Sequence, residues 1–170
     1  LLGKGFIDTT EMFEVNSQVK MIMVTQVAIA ILYREHKFLM QLRDNIPNIV
    51  FPGYWALFGG HMEPGETPDV TVKREILEEI GYIPPTFSEF GCYSDEKTVR
   101  HVFYAPLIVE LNQLVLNEGW DMGLLTPAEI RQGSCYSAIA GEVRPLGPMP
   151  QRILLDFIDK RIISNDAISN

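Results

Sequence analysis

Glu75, Glu78 and Glu79 put three carboxylates within five residues, and Glu63 and Glu66 precede them at a glycine-containing stretch. On a helix turning roughly 100° per residue, the three fall within a sector of about 100°, with Val70, Val72, Ile76, Leu77 and Ile80 on another side. Like charges at i, i+3 and i+4 destabilise a helix by a few tenths of a kcal/mol per pair, roughly, so such a cluster is either well solvated or offset by a cation. Gly59 and Gly60, read as part of a turn before the helix, let the backbone approach a ligand closely, and carbonyls freed there can join the carboxylates. Mg²⁺ prefers all-oxygen sites and keeps several waters, which substrate phosphates replace or which supply a nucleophile. The pattern points to phosphate chemistry at a metal site; a solvated acidic helix face is the plainer alternative.

The elements that must position these groups have their own signals. Residues 67–80 read as a helix, with Thr67 as N-cap, Pro68 at the first helical position, Asp69 at the positive dipole end and Gly81 past the last turn. Residues 24–33 are nearly continuous apolar and β-branched, the mark of a strand buried on both faces, and 37–42 reads as its hairpin partner. A loop over 44–54, broken by Pro47, Pro52 and Gly53, leads into a short strand at 55–58. Residues 86–93 and 99–111 read as strands, the second interrupted at Pro106, and 114–116 as a short one. Thr126 to Glu129 is a capping box opening a short helix, and 152–163 repeats apolar residues as a closing amphipathic helix. Strands and helices interleave, so the expected fold class is α/β, a mixed β-sheet covered by helices. Residues 1–23 read as an arm or edge element that could contribute to a homodimer, 24–163 as one domain, and 164–170 as a polar tail.

Composition narrows the function. At 46% apolar and 21% charged over 170 residues, the chain can bury a sizeable core and is neither disordered nor collagen-like. The longest apolar run, Val27 to Tyr33, is far below the roughly 18 residues of a membrane span, so no membrane partner is expected. With neither a secretory signal nor a transit peptide visible, a cytoplasmic location is expected. A net charge of −8 argues against duplex nucleic acid as partner, and half of that charge lies between Gly59 and Tyr82. Cys92 and Cys135 are too few for a disulfide framework or zinc site, and His36, His61 and His101 lack partners at metal-ligand spacing.

Gly60, five residues, Glu66, seven residues, then Arg74-Glu75-Ile76-Leu77-Glu78-Glu79-Ile80-Gly81-Tyr82 resembles the Nudix box, with every Gly, Arg and Glu of that pattern present. Phe58 stands where many relatives have Pro, and Tyr82 where a bulky aliphatic is usual. The resemblance runs from about residue 24 to 163 and implies the Nudix fold, an α/β/α sandwich. It further implies hydrolysis of a diphosphate linkage in a nucleoside diphosphate joined to a group X, with Mg²⁺, or Mn²⁺ as substitute. On matching positions Glu75, Glu78 and Glu79 would hold the ions with the Gly59 carbonyl, while Gly60, Glu66 and Arg74 would brace loop and helix. Glu118, in Leu116-Asn117-Glu118-Gly119-Trp120, resembles the late-loop Glu that serves such proteins as general base or further ligand; a plain turn carboxylate is the competing reading.

Substrate contacts are fainter. Arg43, at the end of a strand, is a candidate for a phosphate or base, and Tyr54, Trp55, Phe58 and Phe103 for stacking a nucleobase, although aromatics beside strands are more often core. A MutT-like nucleoside triphosphate hydrolase, with oxidised dGTP as one candidate substrate, is favoured over a nucleotide-sugar or ADP-ribose pyrophosphatase, since no specificity motif for ADP-ribose or coenzyme A follows the box. A non-catalytic nucleotide sensor and an acidic scaffold are the readings of other classes; neither needs the full set of acids.

Overall fold

A computed structural model describes the backbone of residues 14–15, 18–19 and 23–166 and the side chains of residues 23–160. The expected arm therefore lies outside the described residues, except for Met23 and a minimal antiparallel pair, β1 (Glu14–Val15) and β2 (Gln18–Val19). Of the expected tail, residues 167–170 also lie outside them.

A seven-stranded mixed sheet carries the rest. It is built from β3 (Thr25–Arg34), β4 (Lys37–Leu42), β5 (Trp55–Ala56), β6 (Phe58–His61), β7 (Ser88–Ser94), β8 (Thr98–Pro106) and β9 (Asp121–Leu125). The order is β5-β4-β3-β8-β7, with β6 paired to β3 and β9 to β4. Only β3 and β8 run parallel. On β3, Ala28, Ala30 and Leu32 face one core and Ile29, Ile31 and Tyr33 the other, so the continuous apolar run is a strand covered on both sides. Helix α1 (Pro68–Ile80) lays Val72, Ile76 and Ile80 on the alanine face. On the opposite face, α2 (Pro127–Gln132) contributes Ile130, and α3 (Pro148–Asp166) contributes Ile153, Leu154, Phe157 and Ile158. The architecture is thus an α/β/α sandwich. No described helix is long and apolar enough to cross a membrane.

Several expected boundaries move. The glycine pair belongs to β6 rather than to a turn, because Gly59 and Gly60 pair with Ile29 and Ala28. Residues 107–111 leave the sheet after Pro106, and 114–116 forms no strand; a 3-10 turn, Leu111–Gln113, leads instead into a loop that lies along α1. Strand β9 and the hairpin of β10 (Ser134–Ser137) and β11 (Glu142–Pro145) carry too little alternation to announce themselves. Helix α3 begins a turn early, since Pro148 and Pro150 are tolerated where no intrahelical N–H bond is needed. It also continues through residues 164–166, which the tail reading left outside. Thr67 does not cap α1 with its side chain; its hydroxyl donates to the Asp69 carboxylate.

Tyr82, packed against the core on the alanine face of β3, buries a hydroxyl that has no hydrogen-bond partner among the described residues. Leaving such a group unpaired costs about 1–3 kcal/mol. Tyr82→Phe is therefore expected to raise the melting temperature by roughly 2–4 °C per kcal/mol recovered, measured by calorimetry. A fall in melting temperature would mean that the hydroxyl does have a partner.

Candidate active site

At the end of β6 the backbone is shaped for Glu79. Gly59 has φ +134°, and a Cβ there would lie 2.2 Å from the Ala28 carbonyl oxygen, so only glycine fits. Met62 N–H donates to the Gln26 carbonyl, which marks that pair as hydrogen-bonded; by alternation along the ladder, Ile29 and Gly59 are not bonded to each other. The N–H and C=O of Gly59 consequently point away from β3. That N–H donates to Glu79 Oε2 at 2.8 Å, and Gln41 Nε2 donates to Glu79 Oε1 at 3.0 Å. Glu79 is 5% exposed. Its carboxyl is raised to about 8, chiefly by burial; the two donors pull it down, and the charges of Glu118 and Glu75 push it up.

The three acids of α1 do not share one environment. Glu75 is largely covered, with its carboxylate against Gly60, where a Cβ would come within 2.5 Å of Cδ. The Glu78 side chain is 59% exposed. Arg74 binds all its acidic neighbours: Nε and Nη2 donate to Glu66 at 2.7 and 2.9 Å, and Nη1 to Glu75 at 2.7 Å and Glu78 at 3.4 Å. Its Nη2 also donates to the His61 carbonyl, tying the helix to the end of β6. Arg74 thus links Glu66, Glu75 and the end of β6, and the absence of a side chain at Gly60 leaves room for the Glu75 carboxylate.

Glu66 is held at about 2 by Arg74, by the Glu63 N–H and by the Thr71 hydroxyl. Its folded pKa lies below the unfolded value of roughly 4.3, so the stability it contributes is present above that pH and is lost as pH falls towards about 2. Glu66→Gln is expected to flatten the acid side of the melting-temperature profile across that window. An unchanged slope would place the acid sensitivity elsewhere.

Glu118 reaches the same region from the other side of the chain. Asn117 N–H donates to the Glu79 carbonyl at 2.8 Å, and Asn117 Nδ2 to the Glu78 carbonyl at 2.9 Å. Val115 N–H bonds to the Ile80 carbonyl, and Trp120 N–H to Leu42. The loop thus joins the end of α1 to the end of β4, and Glu118, exposed to solvent, lies between these anchors.

Among the fainter candidates, Arg43 is half-buried at the end of β4, its Nε buried without a hydrogen-bond partner among the described residues. Trp55, Phe58 and Phe103 are core residues at 1%, 0% and 4% exposure and present no ring face to a base. Sequence reasoning missed Gln41, whose only signal is a polar residue in the buried run of β4. The oxygen donors suit a hard divalent cation in chemistry, and the mutual repulsion felt at Glu79 would be relieved by one. In the present rotamers, however, Arg74 and Gln41 hold these side chains, and no three His, Cys, Asp or Glu among the described residues gather as a metal site.

These features have counterparts in known proteins. A nucleoside triphosphatase NudI of Escherichia fergusonii is 34% identical over 98 residues, 49% of this chain and 69% of that protein. An ADP-ribose pyrophosphatase of Methanocaldococcus jannaschii is 40% identical over 83 residues, 48% of this chain and 47% of that protein. Across the first curated relatives, the chain spans between 23% and 69% of their own length. A NUDIX hydrolase structure from Nitrosomonas europaea superposes with a TM-score of 0.60 at 19% identity, covering 81% of this chain and 90% of that one, a likeness of fold. The NUDIX domain model matches residues 23–134, a stretch that runs from β3 through the glycine strand, the acidic helix and the loop of Glu118 to the start of β10, and the chain belongs to that family.

Proposed function

We propose that the protein is a divalent-metal-dependent pyrophosphohydrolase that cleaves a diphosphate linkage in a nucleoside diphosphate joined to a group X, with nucleoside triphosphates the favoured class. The observation that carries the reading is geometric: Glu79 accepts from the Gly59 N–H at 2.8 Å and the Glu75 carboxylate lies against Gly60, so two acids of α1 meet the glycine pair at the end of β6. A relative named nucleoside triphosphatase and one named ADP-ribose pyrophosphatase both lie within this chemistry. Residues 24–163 form the proposed catalytic unit.

Mg²⁺, held by Glu75, Glu78, Glu79 and the Gly59 carbonyl, with Glu118 a candidate further ligand, would acidify a water and neutralise charge on the leaving phosphate. The chain's own groups do the rest. The Glu118 carboxylate takes the proton of the attacking water, and the Arg43 guanidinium offsets charge on a substrate phosphate. Arg74, engaged by Glu66 and the His61 carbonyl, keeps the acidic helix in place against β6. Glu79 is fixed by Gln41 and Gly59. The test is phosphate and pyrophosphate release from a matched panel of nucleoside triphosphates, nucleotide sugars, dinucleotides and ADP-ribose with Mg²⁺ or Mn²⁺. Turnover abolished by chelator is expected, with triphosphates fastest; a protein that binds nucleotide without releasing product would be a sensor instead.

A further inference from the structure

The sheet register places Tyr54 on the face that carries Glu79, with the Phe51 ring packed against it, and we propose that Phe51 and Tyr54 form the subsite for the heterocyclic ring of the substrate. The inference rests on the pyrophosphohydrolase reading and specifies which part of the molecule recognises the end of the nucleotide remote from the reacting phosphates.

Across β4 and β5, Gln41 stands opposite Ala56 and Leu42 opposite Trp55. One step further, Arg43 N–H donates to the Tyr54 carbonyl at 3.0 Å, continuing the same register. Opposed residues of an antiparallel pair share a face, and successive residues alternate between faces. Gln41, Arg43, Ala56 and Tyr54 therefore lie on one face, the face on which Gln41 meets Glu79, whereas Leu42 and Trp55 enter the opposite core. Arg43 is about 7 Å beyond Gln41 along the strand, and Tyr54 about 5 Å to its side. The Phe51 ring packs on Tyr54, with centroids 5.3 Å apart and planes at 59°. Leading away from the carboxylates, the order is acid, guanidinium, aromatic pair, which is the order of reacting phosphate, neighbouring phosphate and base in a nucleotide.

Tyr54 is half-buried, and Phe51 is presented to solvent. Phe51 is 48% exposed, and Ile46 and Val50 of the same loop are exposed too. Its φ of +52° is a left-handed conformation that a bulky L-residue rarely adopts, and such strain gathers at ligand clamps. The loop is fixed from three sides: Gly53 N–H bonds to the Asp44 carbonyl, Tyr54 N–H to the Phe51 carbonyl, and Arg144 Nε to the Gly53 carbonyl at 2.8 Å. Trp120, the aromatic next to the Glu118 loop, is instead covered by the Arg144 guanidinium, 5.9 Å from its ring centroid.

The experiment is calorimetric titration, in Mg²⁺, of the α,β-methylene analogues of the four common nucleoside triphosphates and, separately, of tripolyphosphate, which has no ring. For the tightest analogue, Tyr54→Leu and Phe51→Ser are each expected to weaken binding by about tenfold or more, and Tyr54→Phe to stay within twofold. Tripolyphosphate affinity should be unchanged in all three. Equal weakening for tripolyphosphate, unchanged nucleotide affinity in both ring-loss variants, or wild type binding no nucleotide better than tripolyphosphate would each overturn the subsite. Phe51→Ser alters a solvent-exposed ring, so it reports even where Tyr54→Leu fails to fold. Failure of the hydrolytic reading shows separately, as no product release by wild type from the substrate panel.

Discussion

Glu79→Gln is expected to lower kcat by at least ~10²-fold while the protein stays folded, because a neutral amide cannot supply charge stabilisation of several kcal/mol at a metal centre. The fold survives because the amide oxygen can accept from Gly59 N–H, and the amide N–H can donate to Gln41 once that side chain flips. Stability should move the other way. The Glu79 carboxyl is raised to about 8 when folded, against roughly 4.3 unfolded, so in chelator the wild-type protein loses stability as pH rises through that interval. A neutral Gln escapes this loss. The melting temperature of the variant relative to wild type, both in EDTA, should rise from pH 5 to pH 8. Turnover within tenfold of wild type would remove Glu79 from the site, and a flat difference in melting temperature would mean that its carboxyl is ionised throughout.

For Glu118→Gln, kcat should fall by roughly 10²-fold or more with little change in KM, since a general base contributes mainly in the transition state. The backbone bonds from Val115, Asn117 and Trp120 do not involve the Glu118 side chain, so the substitution leaves the loop in place. A change confined to KM would indicate substrate positioning. If kcat and KM both stay within about twofold, the base lies on α1, with Glu75 and Glu78 the residues to substitute next. In a kcat-pH profile, loss of the acidic limb in Glu118→Gln alone would assign the proton acceptance to this carboxylate.

How far the sequence reveals these arrangements depends on whether a signal is local. Helix α1 announces itself through Pro68, Asp69 and Gly81, because the rules for helix ends act over a few residues. The hairpin of β3 and β4 is legible for the same reason, and so is the capping box of Thr126 and Glu129. Strand β9 is not, since Asp121 and Gly123 interrupt the apolar residues and its pairing with β4 is set by distant contacts. Residue type alone also misleads about aromatics. Trp55 and Tyr54 are adjacent and both aromatic, yet only the register with β4 sends one to the core and the other towards Arg43. Gln41 is the same case for a polar residue: nothing nearby in the chain shows that it meets Glu79, thirty-eight positions later.

The loop that carries Glu118 has a kinetic consequence. The last four carbonyls of a helix have no partner within it, and here Val115 and Asn117 supply partners for three successive ones, those of Glu78, Glu79 and Ile80. Swinging this loop away would strip the end of α1 at the same moment, so the two segments should open together in amide hydrogen exchange, with Val115 and Asn117 protected like the last turn of the helix. The loop is therefore not expected to act as a lid. The exposed Glu118 side chain takes no part in these backbone bonds and is free to change rotamer on the picosecond-to-nanosecond scale, faster than the microsecond-to-millisecond motion of a hinged segment.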